Sequence, residues 1–346
     1  MFPFTIIFIL TLLILLGTTI PRVMLVYRYT RPKIRPIKTM LVWEATLVAL
    51  LLIGIVISQL SHQGCAITPP ALTTGHPRCV SGTIKLGGST ALQTLMNKEA
   101  ESYHQWCPGA TINVLTSTKQ NAITKSEEGL DSAEDGSITI GTSDTYAPSD
   151  KSDLVDHQIA ASVFVVIVNS GVQVTNLTSD QIKGIYAGRY TNWHQLGGLN
   201  LTIQPLSRGS GSGTRSTFDT YILNGAELVI QSSPILDTLS MIENVRTTPG
   251  AIGYADLYDV YTHLQSLTPV TIDGIPASPF TVVNNTYKFW TIEHMYTKGP
   301  ATGLAQAFID YMNNEYGGQV MRASSFIVLH DMNSSALSIR CAANSV

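Results

Sequence analysis

Residues 208–218 read Arg-Gly-Ser-Gly-Ser-Gly-Thr-Arg-Ser-Thr-Phe, between a strand-like stretch at 202–206 and a helix-like one continuing over 217–223. A strand that enters a helix through a glycine turn belongs to open α/β sheets, whose ligands sit at the carboxyl ends of the strands. Gly209, Gly211 and Gly213 free the backbone to aim several N–H groups at one point, and Ser212 and Thr214 add hydroxyls at the helix start. The unsatisfied N–H groups and the positive dipole end of that helix favour an anion. Arg208 brings formal charge and a planar fork that matches two oxygens. The turn contains no Gly-x-x-x-x-Gly-Lys and no Gly-x-Gly-x-x-Gly, and Arg208 and Ser210 occupy the places where a nucleophile elbow needs glycine. Taken alone, the turn fits both a flexible surface loop and an anion cradle.

The first 60 residues differ in composition from the rest. Residues 2–20 and 39–60 are each apolar over close to the ~20 residues that span a bilayer core, which predicts two transmembrane helices. The loop 21–38 between them holds Arg22, Arg28, Arg31, Lys33, Arg35 and Lys38 with no acid, so it belongs in the cytoplasm. Everything after residue 60 is then outside, and the chain is expected as a two-pass cell-membrane protein with an extracytoplasmic C-terminal domain. The first apolar stretch lacks the basic leader and small-residue cleavage site of a signal peptide, so it is expected to be retained.

Removing this basic segment leaves 15 Lys and Arg against 23 Asp and Glu in residues 61–346, a net charge of about −8. An acidic surface of this kind argues against nucleic acid as a partner and requires any anion to be held by local dipoles and hydrogen bonds. Cys65, Cys79, Cys107 and Cys341 all fall on the outer side, where thiols oxidise. Of the three possible pairings, the favoured one joins Cys65 to Cys79 and Cys107 to Cys341. Their spacing matches no zinc pattern.

Residues 61–82 read as a linker, rich in Pro, Thr, Ser and Gly. Beyond it, strands at 83–86, 111–115 and 137–141 alternate with a helix at 90–106, which predicts a mostly parallel sheet. A β-branched run at 161–169 suits a buried strand, followed by a helix starting near Thr178. Strands at 251–254 and 287–296 and a helix over 301–316 complete the pattern. Gly87-Gly88-Ser89-Thr90 forms a second strand-to-helix junction with capping hydroxyls, matching the chemistry at Ser212 and Thr214. Asp144, in Ile140-Gly141-Thr142-Ser143-Asp144, reads as a cap or turn residue. Near an anion it gains another use: a carboxylate accepts a hydrogen bond from a protonated oxyanion and repels a fully deprotonated one.

From about 83 to 330 the chain resembles the phosphate-binding proteins of high-affinity phosphate ABC transporters, in the type II periplasmic-binding-protein superfamily. An ordered set of motifs carries the resemblance: Gly87-Gly88-Ser89-Thr90, Ile140 to Asp144, Asn176-Leu177-Thr178, Ile185-Tyr186-Ala187-Gly188, Asn192-Trp193, Arg208 to Thr214, Pro249 to Tyr254, Ala307 to Tyr311, and Gly318-Gln319. The resemblance implies an α/β two-lobed clamp over residues 83–346, with lobe 1 about 83–165 and 255–346, lobe 2 about 166–254, and crossover strands joining them. It further implies phosphate contacts from Thr90, the N–H of Ala91, Asp144 as the proton-reading carboxylate, Arg208, Ser212, the N–H of Gly213, Thr214, and a serine placed at Ser117. Where the family often carries an acid two residues after the arginine, this chain has Ser210. Residues 116–119 also lack the glycines usual in that segment and carry Lys119.

The expected function is a membrane-tethered substrate-binding component of an ABC phosphate importer, partnered by permease subunits, without cofactor or metal and not an enzyme. A binding protein for tungstate, molybdate or sulfate, and a phosphate-sensing receptor module, are the alternatives.

Overall fold

The computed structural model describes residues 72–115, 125–226 and 233–343, without the side chains of 125–127 and 341–343. The two expected membrane spans and Ser117 lie outside the described residues. Among the described residues no helix is long and apolar enough to cross a membrane.

The chain opens with β1 (Gly82–Gly88), α1 (Gln93–Trp106), β2 (Ala110–Leu115), α2 (Lys125–Glu134) and β3 (Ile140–Ser143). A long β4 (Leu154–Asn169) follows, then β5 (Asn176–Leu177), α3 (Ser179–Tyr186), β6 (Gln204–Pro205), α4 (Gly213–Phe218) and α5 (Thr238–Thr247). The remainder is β7 (Ala251–Asp256), α6 (Leu257–Thr262), β8 (Leu267–Ile272), α7 (Pro279–Val283), β9 (Trp290–Lys298), α8 (Gly303–Met312), α9 (Glu315–Ala323), β10 (Ile327–Val328) and α10 (Ser334–Ala343). The fold is mixed α/β.

The sheet runs β2-β1-β3-β9-β4-β7-β6, with β8 and β10 also paired to β4 and β5 to β8. It corrects the expectation of a mostly parallel sheet. β1 is parallel to β2 and β3, and β6 to β7, but β9 runs antiparallel to both β3 and β4, and β4 antiparallel to β7 and β8. The reason is β4, which is much longer than its apolar run. Its first part, Leu154 to Val163, pairs with β9, and its second part, from Phe164, pairs with β7 and β8. Residues 156–158 carry polar side chains because that end is only half covered, whereas residues 159–168 are buried on both faces, as a nearly continuous apolar run requires.

Two apolar cores lie along this sheet. One gathers Leu86, Leu95, Tyr103, Ile140, Met295, Phe308 and Met312 around β1, α1 and α8. The other gathers Ile167, Tyr186, Trp193, Phe218, Tyr254 and Phe289 around β7, α3 and α4, with Phe218 stacked on Tyr254 at 4.1 Å between ring centroids. Several residues of the sequence motifs thus serve the core. Trp193 Nε1 donates to the Gly250 carbonyl at 2.8 Å, and the Tyr186 hydroxyl to the Leu206 carbonyl at 3.0 Å, which ties the end of β6 to its neighbours.

α3 starts as expected at Thr178, whose hydroxyl accepts from Gln181 N while Gln181 Oε1 accepts from Thr178 N, a reciprocal capping box. Thr178→Ala removes one half of it and is expected to cost about 1 kcal/mol. A denaturant midpoint unchanged from the parent's would contradict that role.

The described part of the expected linker packs onto the domain instead of standing free. Asn314 donates to Thr73 Oγ1 and the Gly75 carbonyl, Trp106 Nε1 to the Pro77 carbonyl, and the Tyr103 hydroxyl to the Arg78 carbonyl. These bonds bring Cys79 to the C-terminal end of α1, where it is disulfide-bonded to Cys107 with a Cα–Cα separation of 5.2 Å. The expected pairs Cys65–Cys79 and Cys107–Cys341 are therefore corrected. Cys65 and the side chain of Cys341 lie outside the described residues.

Candidate functional site

Seven of the eight residues expected at the anion site are described, and their side chains or backbone come from three chain segments that the sheet brings to one place. The first segment is the β1–α1 junction. Gly88 has φ +139°, and a Cβ there would lie 2.1 Å from the Thr142 carbonyl oxygen, so only glycine lets β1 run this close to β3. Ser89 N donates to that same carbonyl at 2.9 Å. Helix α1 begins later than the sequence suggests, at Gln93, because Ser89 to Leu92 form a turn in which Ser89 Oγ accepts from Leu92 N. Thr90 and Ala91 sit in this turn, both buried.

The second segment is the end of β3, which delivers Asp144. Its carboxylate is 1% exposed and accepts from the Thr214 hydroxyl through Oδ2 at 2.7 Å, while its backbone carbonyl accepts from Thr291 Oγ1 at 2.9 Å. Burial pushes the Asp144 acid above the ordinary carboxylate range. Hydrogen bonds from Ser89 and Thr214 and the nearby Arg208 charge oppose that shift.

The third segment is the glycine-serine turn. Ser212 caps α4 by accepting from Arg215 N at 3.3 Å, and Gly213 is the first helical residue, so its backbone is helical and not left-handed. Arg208 is 2% exposed and makes a converging set of bonds. Nε donates to the Ile235 carbonyl at 3.2 Å, and Nη2 to the Leu236 carbonyl at 3.1 Å and to Thr90 Oγ1 at 3.0 Å. Nη1 lies 3.5 Å from Thr238 Oγ1, which is itself 3.1 Å from Thr90 Oγ1. Burial draws the Arg208 pKa down, and the Tyr254, Asp144 and Asp237 groups draw it up. Among the described residues no carboxylate forms an ion pair with Arg208. Arg215 is the arginine of this turn that is paired, through Nε to Asp219 at 2.6 Å.

Two direct contacts thus connect the junctions: Thr90 with Arg208, and Asp144 with Thr214. The turn at 208–214 is accordingly held against the domain, buried at Arg208, Gly209 and Ser212 to Thr214 and exposed at Ser210. Sequence reasoning missed Thr238 and Thr291 as neighbours of these groups, whereas Ser89 was among the hydroxyls it named at the β1–α1 junction. Thr238 follows Asp237, which caps α5 by accepting from Ser240 N, and an Asp-Thr pair before an amphipathic run was the available signal. A surface pocket of about 500 Å³ is lined by Leu239, Ile242, Glu243 and Arg246 of α5, by Thr262 of α6 and by His263, and none of the expected site residues lines it. Among the described residues no group of His, Cys, Asp and Glu is arranged to hold a metal ion.

Comparison with known proteins gives a consistent picture. A family model described as "PBP superfamily domain" matches residues 73–315. The chain is 36% identical over 243 residues to the phosphate-binding protein PstS of Bacillus subtilis, covering 68% of this chain and 76% of that protein. A crystal structure of a putative phosphate ABC transporter substrate-binding protein with bound phosphate, from Clostridium perfringens, superposes with a TM-score of 0.64 at 28% identity, over 72% of this chain and 100% of that one. An ABC-type phosphate transport receptor from Vibrio cholerae shares the fold at a TM-score of 0.55 and 23% identity, over 71% of this chain and 100% of that one. The family model spans most of the chain, and the Bacillus relative is similar over most of its own length. The chain therefore belongs to the PBP superfamily, with the type II fold, among the PstS phosphate-binding proteins.

Proposed function

We propose that this chain is the membrane-tethered, extracytoplasmic substrate-binding component of an ABC phosphate importer. The observation that carries the reading is the buried convergence of Arg208, Thr90, Asp144 and Thr214 in a chain similar to phosphate-binding proteins. The Clostridium protein binds phosphate and is described as a transporter's substrate-binding protein, which supports both the ligand and the permease partner here.

In this reading Arg208 presents its fork to two phosphate oxygens, which replace the Thr90 and Thr238 hydroxyls as its acceptors. Those hydroxyls, relieved of the guanidinium N–H, turn to donate to the anion. Ser212, Thr214 and the N–H groups of Ala91 and Gly213 complete the donor set, with Ser117 as a further donor. Asp144 accepts the hydrogen that phosphate keeps near neutral pH and that sulfate lacks. The clamp consists of lobe 1, about 83–165 and 255–346, and lobe 2, about 166–254; two apolar cores support two lobes, while the core around β7 also takes in Leu257, Val270, Val282 and Phe289, which favours an end of lobe 2 beyond 254. The tether is the pair of apolar stretches at 2–20 and 39–60 flanking the basic loop 21–38.

Nothing in this scheme makes or breaks a covalent bond, so the activity is binding and delivery. Calorimetry on the full-length chain in detergent, titrated with inorganic phosphate, is expected to give a dissociation constant at or below about 10 µM. Absence of binding at that level ends the reading.

A further inference from the structure

One fully buried acid beside this site has no role in the scheme above. Glu293 lies on β9 with 0% exposure, and neither of its carboxyl oxygens, nor Asp144 Oδ1, has a hydrogen-bond donor. Side chains alternate along a strand, so Glu293 shares a face with Thr291, whose hydroxyl is bonded to the Asp144 carbonyl. The register places Thr291 opposite Ser162 and Glu293 opposite Ala160 on β4, which puts Ser162 on the same face. The hydroxyl proton of Ser162 is committed to Asp256 Oδ2 at 3.0 Å.

Glu293 and Asp144 are buried neighbours whose carboxyls act on each other: Thr291, two residues before Glu293 on the same face of β9, is bonded to the Asp144 carbonyl, and the unpartnered oxygens of both acids are shut away from water. Two carboxyl groups so placed, both out of water, require a proton between them, because paired bare carboxylates repel. Which acid carries the proton follows from the surroundings. Asp144 has the Ser89 and Thr214 hydroxyls and the Arg208 charge, all of which stabilise an anion. Glu293 faces acids: Asp144 at the end of β3 and Asp256 at the end of β7, itself beside Asp259 of α6. Among the described residues no cation is paired with Glu293 from β3, β4, β7 or its own strand. Burial, followed by the charges of Asp144 and Asp256, pushes the Glu293 acid well above the usual carboxylate range, and the nearby Ser162 hydroxyl opposes that shift.

We propose that Glu293 is a specificity-determining positioning residue for the anion site: it stays a neutral acid, donates its proton to Asp144, and so keeps Asp144 the ionised acceptor that reads the ligand's hydrogen. The role in specificity rests on the phosphate reading above. The protonation of Glu293 does not.

The test uses the full-length chain as parent, E293Q and E293A, with inorganic phosphate and sulfate titrated by calorimetry across pH. Glutamine still donates an N–H to Asp144, so E293Q is expected to bind phosphate within about threefold of the parent, whereas E293A weakens it about tenfold. Removing the donor also raises the Asp144 pKa, so E293A is expected to lose phosphate selectivity over sulfate at a higher pH than the parent. At alkaline pH Glu293 ionises against Asp144 and parent affinity falls. E293Q, which cannot ionise, is expected to lack that part of the fall.

Equal losses in E293Q and E293A, with both variants melting like the parent, overturn the proposal, as does an alkaline limb in E293Q identical to the parent's. The proton itself is read without ligand, by infrared difference spectroscopy at neutral pH. Burial pushes the Glu99 and Asp256 acids up as well, so the readout is the parent-minus-E293Q difference: loss of one protonated-carboxyl component in E293Q is expected, and an unchanged carboxyl band refutes the assignment. If the parent binds no phosphate, the specificity role falls with the functional reading, and the infrared result still decides whether Glu293 is neutral.

Discussion

Arg208→Ala is expected to weaken phosphate binding about 1,000-fold, the loss that follows when a buried charge-assisted pair of hydrogen bonds worth about 4 kcal/mol is removed. The magnitude comes from what surrounds the guanidinium. It is 2% exposed, so water does not replace it, and the other donors to the site are neutral hydroxyls and N–H groups. Its position is fixed independently of ligand by the Ile235 and Leu236 carbonyls, so little ordering entropy is spent on binding. The same bonds mean that Ala leaves two carbonyls unsatisfied, and a melting curve must accompany the calorimetry to separate lost binding from lost fold. Arg208→Lys keeps the charge but offers a point donor in place of a fork, and is expected to fall between Ala and the parent. A loss smaller than about tenfold in a folded Arg208→Ala protein would mean that the anion is neutralised elsewhere.

How much of this was legible in the sequence depended on how local each feature is. The start of α3 was legible because the Thr178 and Gln181 capping box lies within four residues and needs nothing else. Thr90, Asp144, Arg208 and Thr214 were legible because each sits in a short segment where glycine or a hydroxyl has a backbone reason to be present. The length of β4 was not, because the apolar run that marks the strand begins at Ala161, and polar Asp156, His157 and Gln158 join it only where β9 lies beside them. The same holds for the cysteines: Cys79 meets Cys107 only because α1 holds residues 77–78 against its last turn, a contact that no spacing rule encodes. Glu293 was silent for a stronger reason. One glutamate in a strand looks like a solvent-facing residue, and its burial is decided by the register of β9 on β4 and by where β3 ends.

Asp144→Asn is expected to reduce the preference for phosphate over sulfate about 100-fold, or about 2.7 kcal/mol in relative affinity, mostly by admitting sulfate. A carboxylate facing a fully deprotonated oxygen contributes repulsion in a buried site, whereas an amide turns an N–H to it. The pH dependence distinguishes this from a general loosening of the site. The folded-state pKa of Asp144 is raised by burial, so its ionised form costs stability. That cost is absent below the unfolded pKa, grows as pH rises through the interval between the two values, and is constant above the folded one. The ligand-free Asn variant is therefore expected to be at least as stable as the parent at neutral pH. In the parent, sulfate binding strengthens as pH falls through the raised Asp144 pKa, because the protonated acid becomes a donor. In the variant that titration is gone, and sulfate affinity is flat over the same interval. Parent and variant with the same selectivity, or a parent whose sulfate affinity does not respond to acid, would remove Asp144 from the role of proton reader.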